Sequence, residues 1–330
     1  MYTDTDTNNK PLLLLFTGAG FSAHAGAPLM KDFLDKAREA TALIDDPVYE
    51  RIRAGFYFTD YATRAEPNLE TAYGAAVFRQ VIYGSQSRVA TITRNEKFIK
   101  SHLGPRLEDV IDGFERAIAV LYGRNVLDGQ SGWLPYYCRF FEYLSTRYRL
   151  GIISTNYDLI SETALQEIGL ATLYLLPHLW VTAKVVPVLK LHGSVNWPRM
   201  DRLNLRDIQT NEQPRERAFV LPPTWNKDIG TDSVFGRIWA DAIDLIRSAD
   251  GILVVGQSFP NTDLHLDYLF AEGLAKQQDR SRKVRVTIAD LKPDSVGERF
   301  RRYQAVECVS AHVIGFEHLL DELEEDRIGL

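Results

Sequence analysis

Cysteine is scarce in this sequence. Only Cys138 and Cys308 occur among 330 residues, and two isolated cysteines make neither a four-ligand zinc site nor a disulfide framework. Both lie in apolar stretches, so we expect them to be core residues. The low cysteine content predicts a reduced, cytoplasmic protein that holds no zinc or other metal.

Long apolar runs and basic clusters are also missing. No apolar stretch reaches the ~18 residues of a membrane-spanning helix, and residues 1–10 lack the pattern of a secretion signal. The net charge is −6, with 38 lysines and arginines against 44 aspartates and glutamates. Because a basic footprint is absent, direct binding to DNA or RNA is not expected.

A glycine-rich segment follows the first apolar run. Residues 12–16 predict a buried strand, and Gly18-Ala19-Gly20-Phe21-Ser22 comes directly after Thr17. Apolar residues then recur at helical spacing over residues 33–44. Glycines allow a close approach, and free N–H groups at a helix start donate to anions, so this order can hold a pyrophosphate. A tight turn without a ligand is the alternative.

A dehydrogenase requires one further feature, a second strand ending in an acidic residue about 20 positions later. Asp45 and Asp46 stand near that distance, but they follow residues 36–42, which predict a helix. The sequence therefore does not fit a standard dehydrogenase.

Strands and helices alternate after residue 150. This pattern predicts an α/β fold with a parallel sheet and helices on both faces. Residues 45–146 predict mainly helices. We interpret them as an inserted helical subdomain, and residues 11–44 and 147–330 as the sheet domain.

Small or polar residues follow five of the predicted strands. In open parallel sheets ligands bind beyond the carboxyl ends of the strands, so we expect these residues to meet in one crevice. They are Gly18 to Ser22, Thr155 with Asn156 and Asp158, His192, Gly256 with Ser258, and Asp290.

Four of these segments resemble motifs of the sirtuin superfamily, in the same order. They are Gly18-Ala19-Gly20-Phe21-Ser22, Asn156-Tyr157-Asp158, Leu191-His192-Gly193 and Gly256-Gln257-Ser258. The resemblance covers residues 11–44 and 150–300. It implies a Rossmann-like sheet, with a large helical insertion, that binds NAD and breaks its bond to nicotinamide.

The departures from this pattern are informative. Protein-deacylating sirtuins carry two Cys-x-x-Cys pairs that hold zinc, and this chain lacks them. The arginine expected soon after Pro28 is missing, and Thr155 replaces an expected glutamine. These features resemble bacterial sirtuin-like NAD-degrading proteins of anti-phage defence, which implies a homo-oligomer and a possible partner subunit such as an ATPase.

The resemblance also implies roles for individual residues. We predict Asn156, His192 and Asp158 as catalytic residues: Asn156 to position ribose or water, Asp158 to bind the nicotinamide amide, and His192 to accept a proton. We predict Asp290 to bind the adenosine ribose. The other predicted NAD-binding residues are Gly18, Ala19, Gly20, Phe21, Ser22, Thr155, Gly256 and Ser258.

Simpler explanations exist for several of these residues. His192 fits a buried histidine under the sheet, and Asn156, Asp158 and Ser258 fit helix or turn caps. The leading functional hypothesis is an NAD glycohydrolase. A protein deacylase, and a non-catalytic module that senses NAD or ADP-ribose, are the alternatives.

Overall fold

The structure is a computed structural model. The described residues are 10–40, 44–63, 68–84, 86–88, 91–92, 99–100, 105–127, 132–176, 184–198, 208, 213–221, 233–259, 264–275 and 283–330.

Strands and helices are numbered in chain order within these residues. The strands are β1 (Leu12–Thr17), β2 (Thr91–Ile92), β3 (Ile99–Lys100), β4 (Arg149–Ser154), β5 (Ala171–Leu173), β6 (Val185–Lys190), β7 (Gly193–Ser194), β8 (Phe219–Val220), β9 (Gly251–Val255), β10 (Val284–Asp290) and β11 (Val306–Val313). The helices are α1 (Ala19–Ala23), α2 (Phe33–Glu39), α3 (Asp46–Thr63), α4 (Leu69–Tyr83), α5 (Leu107–Leu127), α6 (Leu134–Arg147), α7 (Ile160–Glu167), α8 (Val234–Ser248), α9 (Leu264–Ala275), α10 (Pro293–Phe300) and α11 (Phe316–Glu324).

Seven strands form one parallel sheet in the order β11-β10-β9-β1-β4-β6-β5. The chain places β4, β6 and β5 on one side of β1, then crosses over to place β9, β10 and β11 on the other. This confirms the predicted α/β class, a Rossmann-like sheet.

The sheet is covered on both faces. Successive residues of β1 point to opposite sides, as the strand repeat requires. Leu12, Leu14 and Phe16 join a core with α8, α9 and α10, while Leu13 and Leu15 join a core with α6, α7 and α11. The predicted helices on both faces are confirmed.

A third core joins the inserted helices α3, α4 and α5 to α2, which precedes the insertion. Phe33 of α2, Phe56 of α3, Tyr73 of α4 and Phe114 of α5 pack together there. The inserted region is not purely helical, since β2 and β3 pair as an antiparallel ladder. The division into domains at residues 44 and 147 stays a prediction. Helix α6, which ends at Arg147, contributes its buried side chains to the core of the sheet.

The expectation for the cysteines is only partly met. Cys138 is partly buried against the core beneath α6. Cys308 is exposed on the edge strand β11, so its assignment to the core is wrong. In the described part of the chain, no helix has both the length and the apolar content needed to cross a membrane.

Candidate functional site

A cavity of about 670 Å³ lies at the carboxyl ends of the parallel strands. This volume is within the usual range for small-ligand sites, about 300–1,000 Å³. The neighbours of β1 are β4 on one side and β9 on the other, so the crossover of the chain leaves a crevice above β1. The cavity occupies that crevice.

Most of the predicted residues meet at this cavity. Asn156 and His192 both line it. Of the predicted NAD-binding residues, those that line it are Ala19, Gly20, Thr155, Gly256, Ser258 and Asp290. The segments are far apart in the sequence and meet because every strand of the sheet points the same way.

Glycine is required where the loop after β1 meets the loop after β9. Gly256 has a φ of +60°, and a Cβ atom there would lie 2.3 Å from the amide nitrogen of Phe21 and 2.4 Å from the carbonyl carbon of Gly20. A Cβ on Gly18 would lie 1.9 Å from Oε1 of Gln257. The two loops are therefore in backbone contact across the cavity floor.

These contacts use up most of the amide donors of the glycine-rich turn. The N–H of Gly18 donates to Val255 O (3.1 Å), that of Gly20 to Gly256 O (2.9 Å) and that of Phe21 to Gly18 O (3.0 Å). Helix α1 is also only five residues long. The prediction of a set of free helix-start amides is therefore wrong for these three. The N–H groups of Gly18 and Gly20 bond to the end of β9, and that of Phe21 bonds within the glycine-rich turn.

Asn156 binds the same turn through its side chain. Its Nδ2 donates to Gly18 O (2.7 Å) and to Ser22 Oγ (2.8 Å). A main-chain carbonyl can only accept, so the nitrogen of the amide must face Gly18. Both N–H groups are then used inside the protein, and Oδ1 is the atom left to act on a ligand. Asn156 can therefore accept a hydrogen bond from a ribose hydroxyl or a water, but its side chain has no hydrogen-bond donor left to offer.

His192 lies in the segment after β6, the strand next to β4. It is 6% exposed, and its main-chain O accepts from the N–H of Leu221 (2.8 Å). Gly193, with a φ of +87°, follows in the short antiparallel pair of β7 and β8. This pair fixes the main chain beside His192, which is one of the residues that line the cavity.

Four predicted residues are not among the residues that line the cavity. Gly18 lies beneath it, and Phe21 packs into the aromatic core against Tyr137 and Phe316. Ser22 is buried and accepts the hydrogen bond from Asn156.

Asp158 is the fourth. It is buried, and its Oδ1 accepts from the N–H of Ile160 (3.1 Å), close to the capping role that the sequence left open. Its Oδ2 is buried and makes no hydrogen bond within the described residues.

The far end of the cavity is formed beyond β9 and β10. Asp290 lines it, and its Oδ1 accepts from the main-chain N–H of Lys292 (2.7 Å). Gln257, which the sequence did not single out, accepts a hydrogen bond from Thr155 Oγ1 (3.0 Å) and connects the ends of β4 and β9.

Other lining residues come from segments that follow no predicted strand. Asn68 and Glu70 reach the cavity from the inserted region, Met30 from the segment before α2, and His24 and Glu317 from beside the sheet. Asn68 caps α4 through a reciprocal pair of hydrogen bonds with Thr71, so the Asn-x-x-Thr spacing was the available signal for that helix start.

The cavity is negatively charged. Glu70, Asp290 and Glu317 line it, whereas no lysine or arginine appears among its described lining residues. No cluster of potential metal ligands occurs in the described residues.

Comparisons with known proteins find distant similarity. No family model matches the sequence, and no curated protein matches it. Among solved structures, a structure of Sir2Tm bound to a propionylated peptide is 14% identical, with 98% of this chain and 96% of that chain covered and a TM-score of 0.38.

Two further structures are similar to the same degree. A structure on the basis of sirtuin substrate affinity is 13% identical, covering 97% of this chain and 95% of that one, with a TM-score of 0.40. A structure of Sir2 with an inhibitor, 2′-O-acetyl-ADP-ribose and a deacetylated peptide is 14% identical, covering 98% and 96%, with a TM-score of 0.33. At these identities and TM-scores the similarity is not evidence for a shared activity.

Proposed function

We propose that this chain is a sirtuin-like NAD glycohydrolase that converts NAD and water into nicotinamide and ADP-ribose. One observation carries the proposal. Asn156 and His192, which follow different strands, line a single cavity that is large enough for a dinucleotide fragment.

The cavity suggests an orientation for the dinucleotide. Asp290 lies at the end of β10 and can accept from the hydroxyls of one ribose. Asn156 and His192 lie across β1, where they can meet the other ribose. The nicotinamide half would thus lie near β4 and β6, and the adenosine half near β10.

The reaction needs no strong general acid from the protein. The bond between C1′ and the nicotinamide nitrogen breaks through an oxocarbenium-like transition state. Its electron pair goes to the ring nitrogen, which is cationic in NAD and leaves as neutral nicotinamide. The oxygen of water forms the new bond to C1′, and His192 accepts the proton that this water loses.

Asn156 contributes an oriented acceptor. Because Gly18 O and Ser22 Oγ hold its amide nitrogen, Oδ1 is fixed before a ligand arrives. An acceptor at that position can orient the attacking water or a ribose hydroxyl without reorganising during the reaction.

The pyrophosphate must be held without nearby cationic side chains. Ala19 and Ser258 line the cavity and provide an amide and a hydroxyl. The hydroxyl proton of Thr155, which also lines it, is already donated to Gln257. Uncharged donors of this kind bind phosphate oxygens in many nucleotide sites. Phosphate binding through Gly20 and Phe21 amides is not part of the proposal, because those donors bond to carbonyl oxygens.

Other parts of the proposal derive from the sequence resemblance. They are a role in anti-phage defence, a cytoplasmic location, a homo-oligomeric state and a partner subunit such as an ATPase. Light scattering on the purified chain, alone and with a co-purifying subunit, tests the last two.

Release of nicotinamide from NAD is the assay that tests the proposed activity. The chain, with any co-purifying partner, is incubated with NAD, and nicotinamide is followed by chromatography. We expect His192→Ala to lower kcat by about 100-fold or more, the size of a lost general base, and Asn156→Ala by about tenfold or more. His318→Ala, at an exposed position on α11, serves as the matched control.

Other outcomes point to other functions. Full activity in both variants refutes the assigned roles. Deacetylation of an acetyl-lysine peptide coupled to NAD consumption supports the deacylase. Tight binding of NAD or ADP-ribose without nicotinamide release supports the sensing module.

A further inference from the structure

A lysine is fully buried beneath the candidate site. Lys190 is the last residue of β6, two positions before His192, and its side chain is 2% exposed. Its Nζ lies 3.4 Å from Oε1 of Glu162, on α7, and donates to the main-chain O of Asp158. The Glu162 side chain is equally buried.

The acceptor of Lys190 belongs to the loop that carries Asn156. Asp158 is two residues after Asn156. The same loop is bound at Tyr157, whose main-chain O accepts from the N–H of Val195 (3.0 Å). Residues 190–195 thus hold the loop at two points, and His192 lies within that segment.

The buried pair is not explained by stability alone. Removing two charges from water is costly, and apolar residues of similar volume are often as stabilising as a buried ion pair. Burial raises the pKa of Glu162 despite the nearby ammonium. The neighbouring contact from Leu191 N–H to Ser154 O (2.9 Å) already joins the ends of β4 and β6.

From this geometry we infer that Lys190 is a positioning residue, which fixes Asn156 relative to His192 by holding the main-chain O of Asp158 from inside the protein. The kinetic part of this inference rests on the proposed function, whereas the structural part does not.

The double variant Lys190→Met/Glu162→Gln tests it. It removes the ammonium together with the charge of its partner, so no carboxylate is left unpaired at Glu162. We expect kcat for nicotinamide release to fall at least tenfold, with the dissociation constant for ADP-ribose within twofold of wild type. Glu162→Gln alone keeps the bond from Lys190 to Asp158, and its kcat should stay within threefold.

Hydrogen–deuterium exchange measures the position of the loop without any assumption about activity. In the double variant, peptides that cover residues 155–159 should exchange at least tenfold faster, while those that cover β1 should be unchanged. Unchanged exchange in residues 155–159 overturns the inference whether or not the wild type releases nicotinamide.

The kinetic outcomes separate the two proposals. If the wild type releases no nicotinamide, the proposed function fails and exchange alone decides the role of Lys190. If the wild type is active, a double variant with kcat within twofold overturns the inference, as does an equal loss of kcat and ADP-ribose affinity. If the double variant does not fold, Glu162→Gln decides: a tenfold loss of kcat there shows that the ion pair, not the loop contact, matters.

Discussion

Replacing Gly256 with alanine tests whether the two loops at the cavity floor must touch. In the native structure the N–H of Gly20 donates to Gly256 O at 2.9 Å. A Cβ atom on Gly256 would lie 2.3 Å from Phe21 N, 2.4 Å from Gly20 C and 2.5 Å from Gly20 Cα. All three are backbone atoms, so no side chain can rotate away to make room.

Two terms contribute to the expected loss of stability. The φ of +60° costs an L-residue roughly 1–2 kcal/mol. Normal carbon contacts are about 3.5 Å or longer, so the loops must separate by about 1 Å, and overpacking of this kind costs roughly 1–3 kcal/mol. The sum is about 2–5 kcal/mol. With an unfolding entropy of about 2.1 cal/mol/K per residue, Tm should fall by about 3–7 °C.

Gly169 provides a matched control. It follows α7 with a φ of +79°, and a Cβ atom there meets nothing within 4 Å. Gly169→Ala should therefore lose only the conformational term, about 1–3 °C in Tm. Because Gly20 and Gly256 both line the cavity, Gly256→Ala should also weaken ADP-ribose binding at least tenfold, and Gly169→Ala should not. Calorimetry measures both quantities, and equal Tm values for the two variants refute the reasoning.

Two further predictions concern charge at and beside the cavity. Glu317 lines the cavity, and its negative charge repels the phosphates of ADP-ribose. Glu317→Gln should therefore raise ADP-ribose affinity by on the order of two- to fourfold at low salt, and by less at high salt. Titration calorimetry measures this affinity, and adenosine, which lacks phosphate, should show no gain. Tyr136 donates to Phe316 O and accepts from Leu320 N, and its burial raises the pKa from 10.0 to about 12. The Tyr136 hydroxyl loses its proton at a lower pH in the unfolded chain than in the folded chain. Its contribution to the free energy of unfolding is therefore complete below pH 10 and is lost as the pH rises through about 12. The Tm values of wild type and Tyr136→Phe, measured from pH 9 to 12, should converge as the pH rises. Parallel curves of Tm against pH contradict the raised pKa of Tyr136.

The strands that the sequence predicted share one property. Strands β1, β4, β6, β9 and β10 have neighbours on both sides and are almost fully buried, so they stand out as apolar runs. Strand β11 was missed because it is an edge strand with partly exposed residues, including Glu307 and His312. Strand β5 has only three residues, too few to show a pattern.

The site could be predicted as far as the sheet determines it. Parallel strands place their carboxyl ends together, which is why Asn156 and His192 share a cavity. Side-chain direction within a turn is not fixed by that rule, so Phe21 and Asp158 were assigned to the cavity although they do not line it. Asn68 and Glu70 were missed because packing of the inserted helices, not a strand end, brings them there.

The central position of β1 has a consequence for biosynthesis. The main-chain N–H of Leu12 bonds to Asp250, 238 residues later in the chain, and Leu13 is paired with Gly251 in the sheet. Ribosomes add about 5–20 residues per second, so roughly 10–50 s separate the emergence of this strand from that of its last partner. During that interval one edge of an apolar strand has no neighbour to cover it. A nascent chain of this kind is expected to depend on chaperones until the second half of the sheet has been translated.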